Sequence, residues 1–207
     1  MDDKKFNLLD EPWICVMKEN GEVKELSLMD VLLHAHQYRR LAGELPTQDV
    51  AVLRLLLAVL QTVVYRYDTD GNEDELVETE DAYERWKEIW NDGKLPDKPI
   101  QEYLTKWKAR FYLYDSDRPF YQVPKAAIGT ECKAAKLNGE ISESSNKLRL
   151  FSNRAGKEKE FLSNSEAARW LLYLNGYDDT SAKPKEKGLP SPGTGWLGKL
   201  GLIYADG

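Results

Sequence analysis

The apolar pattern near the N-terminus predicts a β-hairpin followed by a helix. Residues 13–17 and 23–26 read as two strands, and the Asn20-Gly21 pair between them is a strong signal for a two-residue turn. Ser27 stands where a helix N-cap is expected, with Asp30 three residues later in the capping-box position. We therefore expect a short helix to begin directly after the second strand.

Longer helices are predicted further along the chain. The run from Val50 to about Tyr65 is apolar nearly all round, which predicts a helix in the centre of the domain, with Thr47 as its N-cap. Apolar and aromatic residues also recur at helical spacing over 83–90, 100–107 and 165–174. Because these stripes follow one helical face, we expect their aromatic side chains to belong to the core.

The remaining segments predict loops and short strands. Residues 124–147 show no clean period and are rich in small and polar side chains, which is typical of a mobile loop. A strand is expected over 148–151, and a polar loop over 153–157 leads to the last helix, with Ser163 or Ser165 as its N-cap. Together these elements predict a mixed α/β (α+β), helix-rich globular domain with a small N-terminal β-hairpin.

Composition limits the class of protein. The chain has 207 residues, a formal net charge of −6 and a hydrophobic fraction of 42%, which is enough to bury the core of one domain. No uninterrupted apolar run approaches the roughly 20 residues that a membrane span needs, and the start of the chain lacks the features of a secretory signal. Two cysteines are too few for a disulfide scaffold. We expect a cytoplasmic protein that does not contact a membrane.

Residues that usually carry catalysis or bind metals are sparse. His34 and His36, the only histidines, would point to opposite sides of a helix and so do not form a metal-binding pair. Gly193, Gly195 and Gly198 match the spacing of a dinucleotide-binding loop, but a Lys/Pro-rich segment precedes them instead of the strand that such a loop requires. We therefore expect no metal, no cofactor and no enzymatic activity.

Charge is distributed unevenly along the chain. Residues 68–92 hold eleven acidic and two basic side chains, whereas residues 124–160 hold eight basic and five acidic ones. The acidic stretch is typical of a solvated surface, with the docking of a basic partner as the alternative. The basic stretch is typical of a charged surface loop, with contacts to nucleic-acid phosphates as the alternative.

A series of motifs runs along nearly the whole chain. It opens with Phe6-Asn7-Leu8-Leu9-Asp10-Glu11-Pro12-Trp13-Ile14. The later members are Leu26 to Leu32, Leu41 to Pro46, Val52 to Gln61, Asp117 to Gln122, Leu162 to Leu174 and Gly195 to Gly198. In order and spacing, this series resembles the CasA family, the large subunit of the type I-E CRISPR Cascade complex.

The resemblance implies a subunit that recognises nucleic acid and has no catalytic role. In this family the subunit lies at the foot of an RNA-guided antiviral complex, near the 5′ handle of the guide RNA and beside other Cascade subunits. It reads the protospacer-adjacent motif of double-stranded DNA, helps to open the duplex and recruits the helicase-nuclease, while base pairing reads the sequence. Family members are considerably longer, so residues 1–207 would form the N-terminal globular domain without the family's C-terminal helical bundle.

The resemblance also implies two elements that bind nucleic acid. The first is the loop after the Arg-Pro-Phe-x-Gln segment, at about 124–147. Its candidate contacts are Lys125, Lys133 and Lys136 for phosphates, and Ile128 and Gly129 for bases. The second is a glycine-containing loop that enters the minor groove beside the adjacent motif, where a small backbone is needed. Its candidate contacts are Asn153, Arg154, Gly156 and Lys157.

The alternative to a DNA-recognition role is an assembly module. Such a module would dock a basic partner through residues 68–92 without touching DNA. Charge reversal separates the two hypotheses, because Arg154→Glu or Lys157→Glu should weaken DNA binding, with little change in folding, only if the loop contacts DNA.

Some family members carry a Cys-x-x-Cys near this loop. This chain has Leu162-Ser163-Asn164-Ser165 there, so zinc is not expected.

Overall fold

The computed structural model of the chain describes residues 5–128, 131, 133–138 and 154–177. Its strands are β1 (Lys5–Asn7), β2 (Ile14–Met17), β3 (Val23–Leu26), β4 (Arg40–Leu41) and β5 (Tyr112–Tyr114). Its helices are α1 (Leu28–Leu33), α2 (Pro46–Arg66), α3 (Thr79–Asp92), α4 (Asp97–Trp107), α5 (Ala134–Leu137) and α6 (Asn164–Tyr177). Helices with two small antiparallel sheets confirm the predicted mixed, helix-rich fold class.

The N-terminal hairpin forms where the sequence predicts it. Strands β2 and β3 pair antiparallel, with Ile14 opposite Leu26 and Met17 opposite Val23. The turn has three residues and not the predicted two, because the N–H of Lys18 donates to the carbonyl of Glu22 and residues 19–21 form the loop. Gly21 has a φ of +84° there, a left-handed conformation that favours glycine. The structure adds strand β4 on the other edge of β2, an element of two residues that is too short to produce a periodic signal.

Trp13 is at the centre of the core. Its side chain is fully buried, and its indole Nε1–H donates a hydrogen bond of 2.9 Å to the carbonyl of Leu8, which a buried indole needs. Strand β1 pairs antiparallel with β5 and so brings residues 112–114 alongside the start of the chain. Other fully buried side chains come from every part of the described chain: Ile14, Leu28, Val63, Ile100, Leu104 and Leu172.

Of the N-caps predicted for α1 and α2, the structure confirms the first and contradicts the second. Helix α1 begins after Ser27, whose Oγ accepts the N–H of Asp30 at 3.0 Å, so the predicted cap is confirmed. Helix α2 begins at Pro46 with Leu45 as N-cap, so the prediction of Thr47 as the cap is wrong. Proline suits the first helical position because its φ is already helical and no hydrogen bond is lost there.

Helix α2 is buried on one face only. Ala51, Val52 and Val59 are buried, and the helix packs against α4 and α6, whereas Leu53 and Leu57 are exposed. The expectation that α2 is surrounded by the core is therefore wrong. By length and composition α2 is also apolar enough to cross a membrane, a criterion that core helices meet as well.

Helix α3 faces the opposite way from the prediction. Its aromatic side chains are exposed, by 60% in Tyr83, 52% in Trp86 and 70% in Trp90, so their assignment to the core is wrong. The face that packs inward carries Arg85, whose Nη1 donates hydrogen bonds of 2.8 Å to the carbonyls of Val64 and Asp74. An arginine with two fixed carbonyl partners thus determines which face of α3 is outside.

Helix α6 is attached to the hairpin by Arg169. This side chain is buried, and its Nη1 donates hydrogen bonds of 2.6 Å to the carbonyl of Trp13 and to Oε1 of Glu25. The same Glu25 oxygen accepts a hydrogen bond of 3.2 Å from the hydroxyl of Ser165. A charged group with fixed partners is directional, so it sets the register of α6 on the N-terminal half.

Several predictions lie outside the described residues. These are the strand at 148–151, the glycine-rich segment at 193–198, half of the 124–147 loop, and the candidate contacts Gly129 and Asn153.

We expect Arg169→Met to lower the free energy of unfolding by about 2–3 kcal/mol, because the carbonyl of Trp13 and the carboxylate of Glu25 lose their buried, charged donor. Urea denaturation followed by circular dichroism measures the loss. In a double-mutant cycle with Glu25→Gln, the two losses should fall short of additivity by about 1 kcal/mol or more. Strict additivity would contradict a direct link between the two side chains.

Candidate nucleic-acid interface

The glycine-containing loop ends in a tight turn directly before α6. Residues Gly156–Lys159 form a 3₁₀ turn, and Gly156 has a φ of +52°, a conformation that L side chains rarely adopt. A Cβ at this position would meet nothing within 4 Å, so the backbone conformation and not crowding requires glycine. Lys157 follows on the surface with an exposed side chain. The turn therefore presents bare backbone beside a cation.

Arg154 connects this turn to the interior. Its Nη2 lies 2.8 Å from Oε2 of Glu44 and 2.8 Å from Oε1 of Glu166, and its side chain is only 10% exposed. Burial alone would lower the pKa of Arg154, but hydrogen bonds and attraction from the two carboxylates outweigh it and raise the pKa. The expectation that Arg154 can be reversed in charge with little change in folding is therefore wrong.

Glu44 is held in place by the start of α2. Its backbone N–H donates to Oε1 of Gln48 at 3.1 Å, and the N–H of Gly43 donates to Oδ1 of Asp49 at 2.7 Å. A Cβ on Gly43 would lie 2.7 Å from both of these side-chain oxygens, so a larger residue there would displace the two acceptors. The carboxylate of Glu44 also accepts the indole N–H of Trp170 at 3.0 Å. Arg154 therefore binds a carboxylate whose position is set by three neighbours.

Glu166 has two roles, because it also caps α6. Its carboxylate accepts the N–H of Ser163 at 2.7 Å, and the Ser163 Oγ accepts the N–H of Glu166 at 3.2 Å, which is a reciprocal capping box. Of the two predicted caps, Ser163 is the correct one. Burial would raise the pKa of Glu166, but the hydrogen bonds from Ser163 and the charge of Arg154 outweigh it, so the pKa lies below its ordinary value.

The Arg-Pro-Phe-x-Gln segment anchors the start of the second predicted element. Phe120 is buried and stacks on Phe111 with ring centroids 5.6 Å apart, and the side-chain amide of Gln122 donates to the carbonyl of Leu113 at 2.7 Å. The chain then enters a 3₁₀ turn over Pro124–Ile128. Lys125 and Ile128 lie exposed on this turn.

The structure brings part of the second element against the first. Helix α5 packs near α6, and the buried Asn138 donates from Nδ2 to the carbonyl of Lys159 at 3.4 Å. Nζ of Lys133 lies 4.0 Å from Oε1 of Glu160, with both side chains exposed. Lys136 belongs to α5 by its backbone. Lys133 and the Gly156–Lys159 turn thus share one surface, which sequence spacing did not predict.

Sequence reasoning missed several residues of this region. A cavity of about 660 Å³ beside Arg154 is lined by Glu44, Glu158 and Glu166, with the exposed Phe161 at its side. Glu44 lies within the family-like motif Leu41 to Pro46, and this motif was the one feature of the sequence that could have pointed to it. No motif or pattern in the sequence pointed to Phe161. Among the described residues, no three His, Cys, Asp or Glu side chains come together as potential metal ligands.

Comparison with known proteins identifies the family. The family model described as CRISPR-associated protein Cse1 matches residues 7–207. The CRISPR-associated protein CasA/Cse1 of Thermus thermophilus is 33% identical over 169 residues, which cover 82% of this chain and 31% of that protein. The crystal structure of Thermobifida fusca Cse1 superposes with a TM-score of 0.68 at 33% identity, over 94% of this chain and 35% of that one.

A more distant likeness concerns the fold alone. A chain of a CRISPR RNA-guided surveillance complex, pre-nicking, superposes with a TM-score of 0.73 at 19% identity, over 94% of this chain and 39% of that chain. The fold and the matches define a CRISPR-associated protein. The chain belongs to the CasA/Cse1 family, so the resemblance seen in the sequence is confirmed. It spans about a third of the length of these relatives.

We expect Arg154→Met to loosen the turn before α6, because Glu44 and Glu166 lose their shared cation and are left as neighbouring like charges. Amide hydrogen exchange should speed up at least tenfold over 155–160 and stay unchanged in the core of α2, as measured by mass spectrometry. The matched control is Arg118→Met, which removes an exposed arginine that pairs with Asp117 on the surface. Equal effects of the two substitutions would contradict the assigned anchor.

The stability that Glu166 contributes should depend on pH. Its pKa is lowered by folding, so the contribution is fully present above the ordinary value of 4.5 and is lost as pH falls through the folded-state pKa. We expect Glu166→Gln to cost about 1–2 kcal/mol in free energy of unfolding at pH 7 and less below pH 4. Denaturation of both proteins at several pH values measures this difference. A difference that grows on acidification would refute the assignment.

Proposed function

We propose that this chain is a non-catalytic, nucleic-acid-recognition part of an RNA-guided antiviral surveillance complex. It reads the protospacer-adjacent motif of double-stranded DNA, assists opening of the duplex and contributes to recruitment of the helicase-nuclease. Its partners are the guide RNA, the other Cascade subunits and the target DNA. Membership of the CasA/Cse1 family supports this role, and because the chain spans about a third of its relatives, the activity of the whole protein is part of the proposal.

The observation that carries the proposal is the Gly156–Lys157 pair on an internally anchored turn. A minor groove is narrow, so a reader of it needs backbone that can approach the base edges without a side chain in the way. Gly156 supplies that backbone, and the exposed Lys157 is placed to contact a phosphate. Arg154 gives the turn a fixed base, which a reader needs if its contacts are to discriminate between base pairs.

The second element adds contacts that are independent of sequence. Lys133 lies on the same surface as the Gly156–Lys159 turn, and Lys125 and Ile128 are exposed on the 3₁₀ turn over Pro124–Ile128. We assign the lysines, together with Lys136, to phosphates of guide RNA or DNA, and Ile128 with Gly129 to bases. Asn153, which precedes Arg154 in the sequence, completes the proposed set of contacts. Phosphate contacts of this kind position a protein on nucleic acid without reading its sequence.

The test combines this chain with a guide-RNA-bound complex that lacks its large subunit. Binding of labelled duplexes, with a matching target and either a varied or a fixed adjacent motif, is measured over a salt series. We expect a motif-dependent gain in affinity that appears only when the chain is added. If the chain joins the complex and produces no motif preference, it is an assembly module, and the DNA-reading role is refuted.

Charge reversal at Lys157 tests the proposed contact itself. We expect Lys157→Glu to weaken duplex binding by the assembled complex about tenfold and to reduce its salt dependence, because a phosphate contact becomes a repulsion. The matched control is Lys106→Glu, an exposed lysine on α4. Both proteins should unfold at the same denaturant concentration as the wild type. Equal DNA affinity of the two variants would contradict the contact.

A substitution at Gly156 separates backbone approach from stability. Gly156→Ala should reduce motif discrimination, because it adds a Cβ at the tip and strains a positive φ. Gly21→Ala is the matched control, since Gly21 also has a positive φ and open space around it but lies in the hairpin turn. A similar loss of discrimination in both variants would show that strain alone is responsible.

A further inference from the structure

Helix α3 carries an aromatic ladder on its outer face. The ring centroids of Tyr83 and Trp86 are 5.9 Å apart, and those of Trp86 and Trp90 are 5.5 Å apart, with the two indoles stacked. All three side chains are exposed, although aromatic rings of this size are usually covered in a folded protein. Exposed apolar patches with a polar surround are typical of interaction sites.

The ladder is held outward by the interior of the domain. Arg85, on the opposite face of α3, donates hydrogen bonds to the carbonyls of Val64 and Asp74 and pairs with the Asp74 carboxylate. Rotating the helix to bury the aromatic rings would break all of these contacts. Beside the ladder, a groove of about 390 Å³ is lined by Ala35, His36, Trp86, Ile89, Trp90, Gly93, Lys94 and Leu95, and the ammonium of Lys94 lies 2.8 Å from Oδ2 of Asp97. The surface is therefore preformed, with a depression for an aliphatic side chain.

Charge indicates the chemistry of the partner. The five acidic side chains of α3 are exposed, and Lys87 is the one exposed basic side chain of this helix. Three further acidic residues, Glu73, Glu75 and Glu78, are exposed in the segment that precedes the helix. This field repels nucleic-acid phosphates and anionic lipids and attracts Lys and Arg, whose cations also bind favourably over indole rings. A second copy of this face would bring like charges together.

We propose that the α3 face, defined by Tyr83, Trp86, Trp90 and the adjoining groove, docks a lysine- and arginine-rich segment of another protein subunit of the complex. The aliphatic stems of such residues cover the indoles while their charged ends reach the flanking carboxylates. This inference rests on the proposed place of the chain in a guide-RNA-bound complex and is independent of the DNA-reading role of Gly156 and Lys157.

The first test measures how tightly the chain joins the guide-RNA-bound complex that lacks its large subunit, in the absence of DNA. We expect the double substitution Trp86→Ala and Trp90→Ala to weaken association at least tenfold, as is usual for aromatic residues at the centre of an interface. Trp107→Ala, which removes a half-exposed indole from α4, should change affinity less than twofold. At saturating concentration, the double variant should keep the motif preference of the wild type.

The outcomes separate the two proposals. If the wild-type chain does not join the complex, the proposed function is refuted and this inference with it. If the wild type joins and the double variant joins equally well, the docking face alone is refuted. If Lys157→Glu loses DNA affinity while its assembly is normal, and the α3 variant shows the reverse, both proposals are supported.

Crosslinking identifies the occupant. A photoreactive p-benzoylphenylalanine replaces Trp90 in one protein and Trp107 in a control, and the irradiated complex is digested and sequenced by mass spectrometry. We expect Trp90→p-benzoylphenylalanine to yield a Lys- or Arg-rich peptide from another protein subunit, absent in the control. Crosslinks only to nucleic acid, to a second copy of this chain or to another segment of the same chain would overturn the proposal.

Discussion

The rest of the structure depends on the attachment of helix α6 to the N-terminal half through the buried Arg169 and the half-buried Arg154. Arg169 binds the carbonyl of Trp13 and the carboxylate of Glu25, and Arg154 lies between Glu44 and Glu166. Hydrophobic burial of α6 against α2 is not directional and would permit several registers. The guanidinium groups require fixed acceptors, because a buried charge without partners is costly, and they therefore select one register.

This attachment explains how an exposed turn can be well positioned. Gly156 and Lys157 lie at the surface, yet the residue two positions before Gly156 is tied to α2 and α6. The domain thus combines an accessible tip with an internal base, which a recognition element needs. Elsewhere, Arg85 fixes the orientation of α3 through hydrogen bonds to the carbonyls of Val64 and Asp74. The face of α3 that carries the aromatic rings, flanked by acidic side chains, is thereby turned to solvent. Arginines with carbonyl or carboxylate partners therefore orient both of the surfaces to which we assign partners.

Local signals in the sequence predicted local structure well. The N-terminal hairpin and the cap Ser27 need only neighbouring residues for their hydrogen bonds, so the order of side chains along the chain is sufficient. The structure decided the length of the hairpin turn and the choice of Ser163 over Ser165 as the cap of α6. Thr47 was a plausible cap, but the helix begins at Pro46, two residues earlier than a Thr47 cap would place it, because a proline costs nothing at the first helical position. The candidate site was located through family resemblance, which named Gly156 and Lys157 but not Glu44 or Phe161.

The sequence by itself determined the helix-rich mixed fold, the N-terminal hairpin, the cap of α1 and the family, since these depend on short-range pattern and motif order. Only the tertiary structure decided which side of each element is outside. The aromatic stripe of α3 has the period of a core helix, but the long-range hydrogen bonds of Arg85 turn it to solvent. Arg154 reads as a surface cation, but Glu44, 110 residues away in sequence, draws it inward. Such partners come into contact only when the chain folds, so these hydrogen bonds cannot be predicted from the spacing of residues in the sequence.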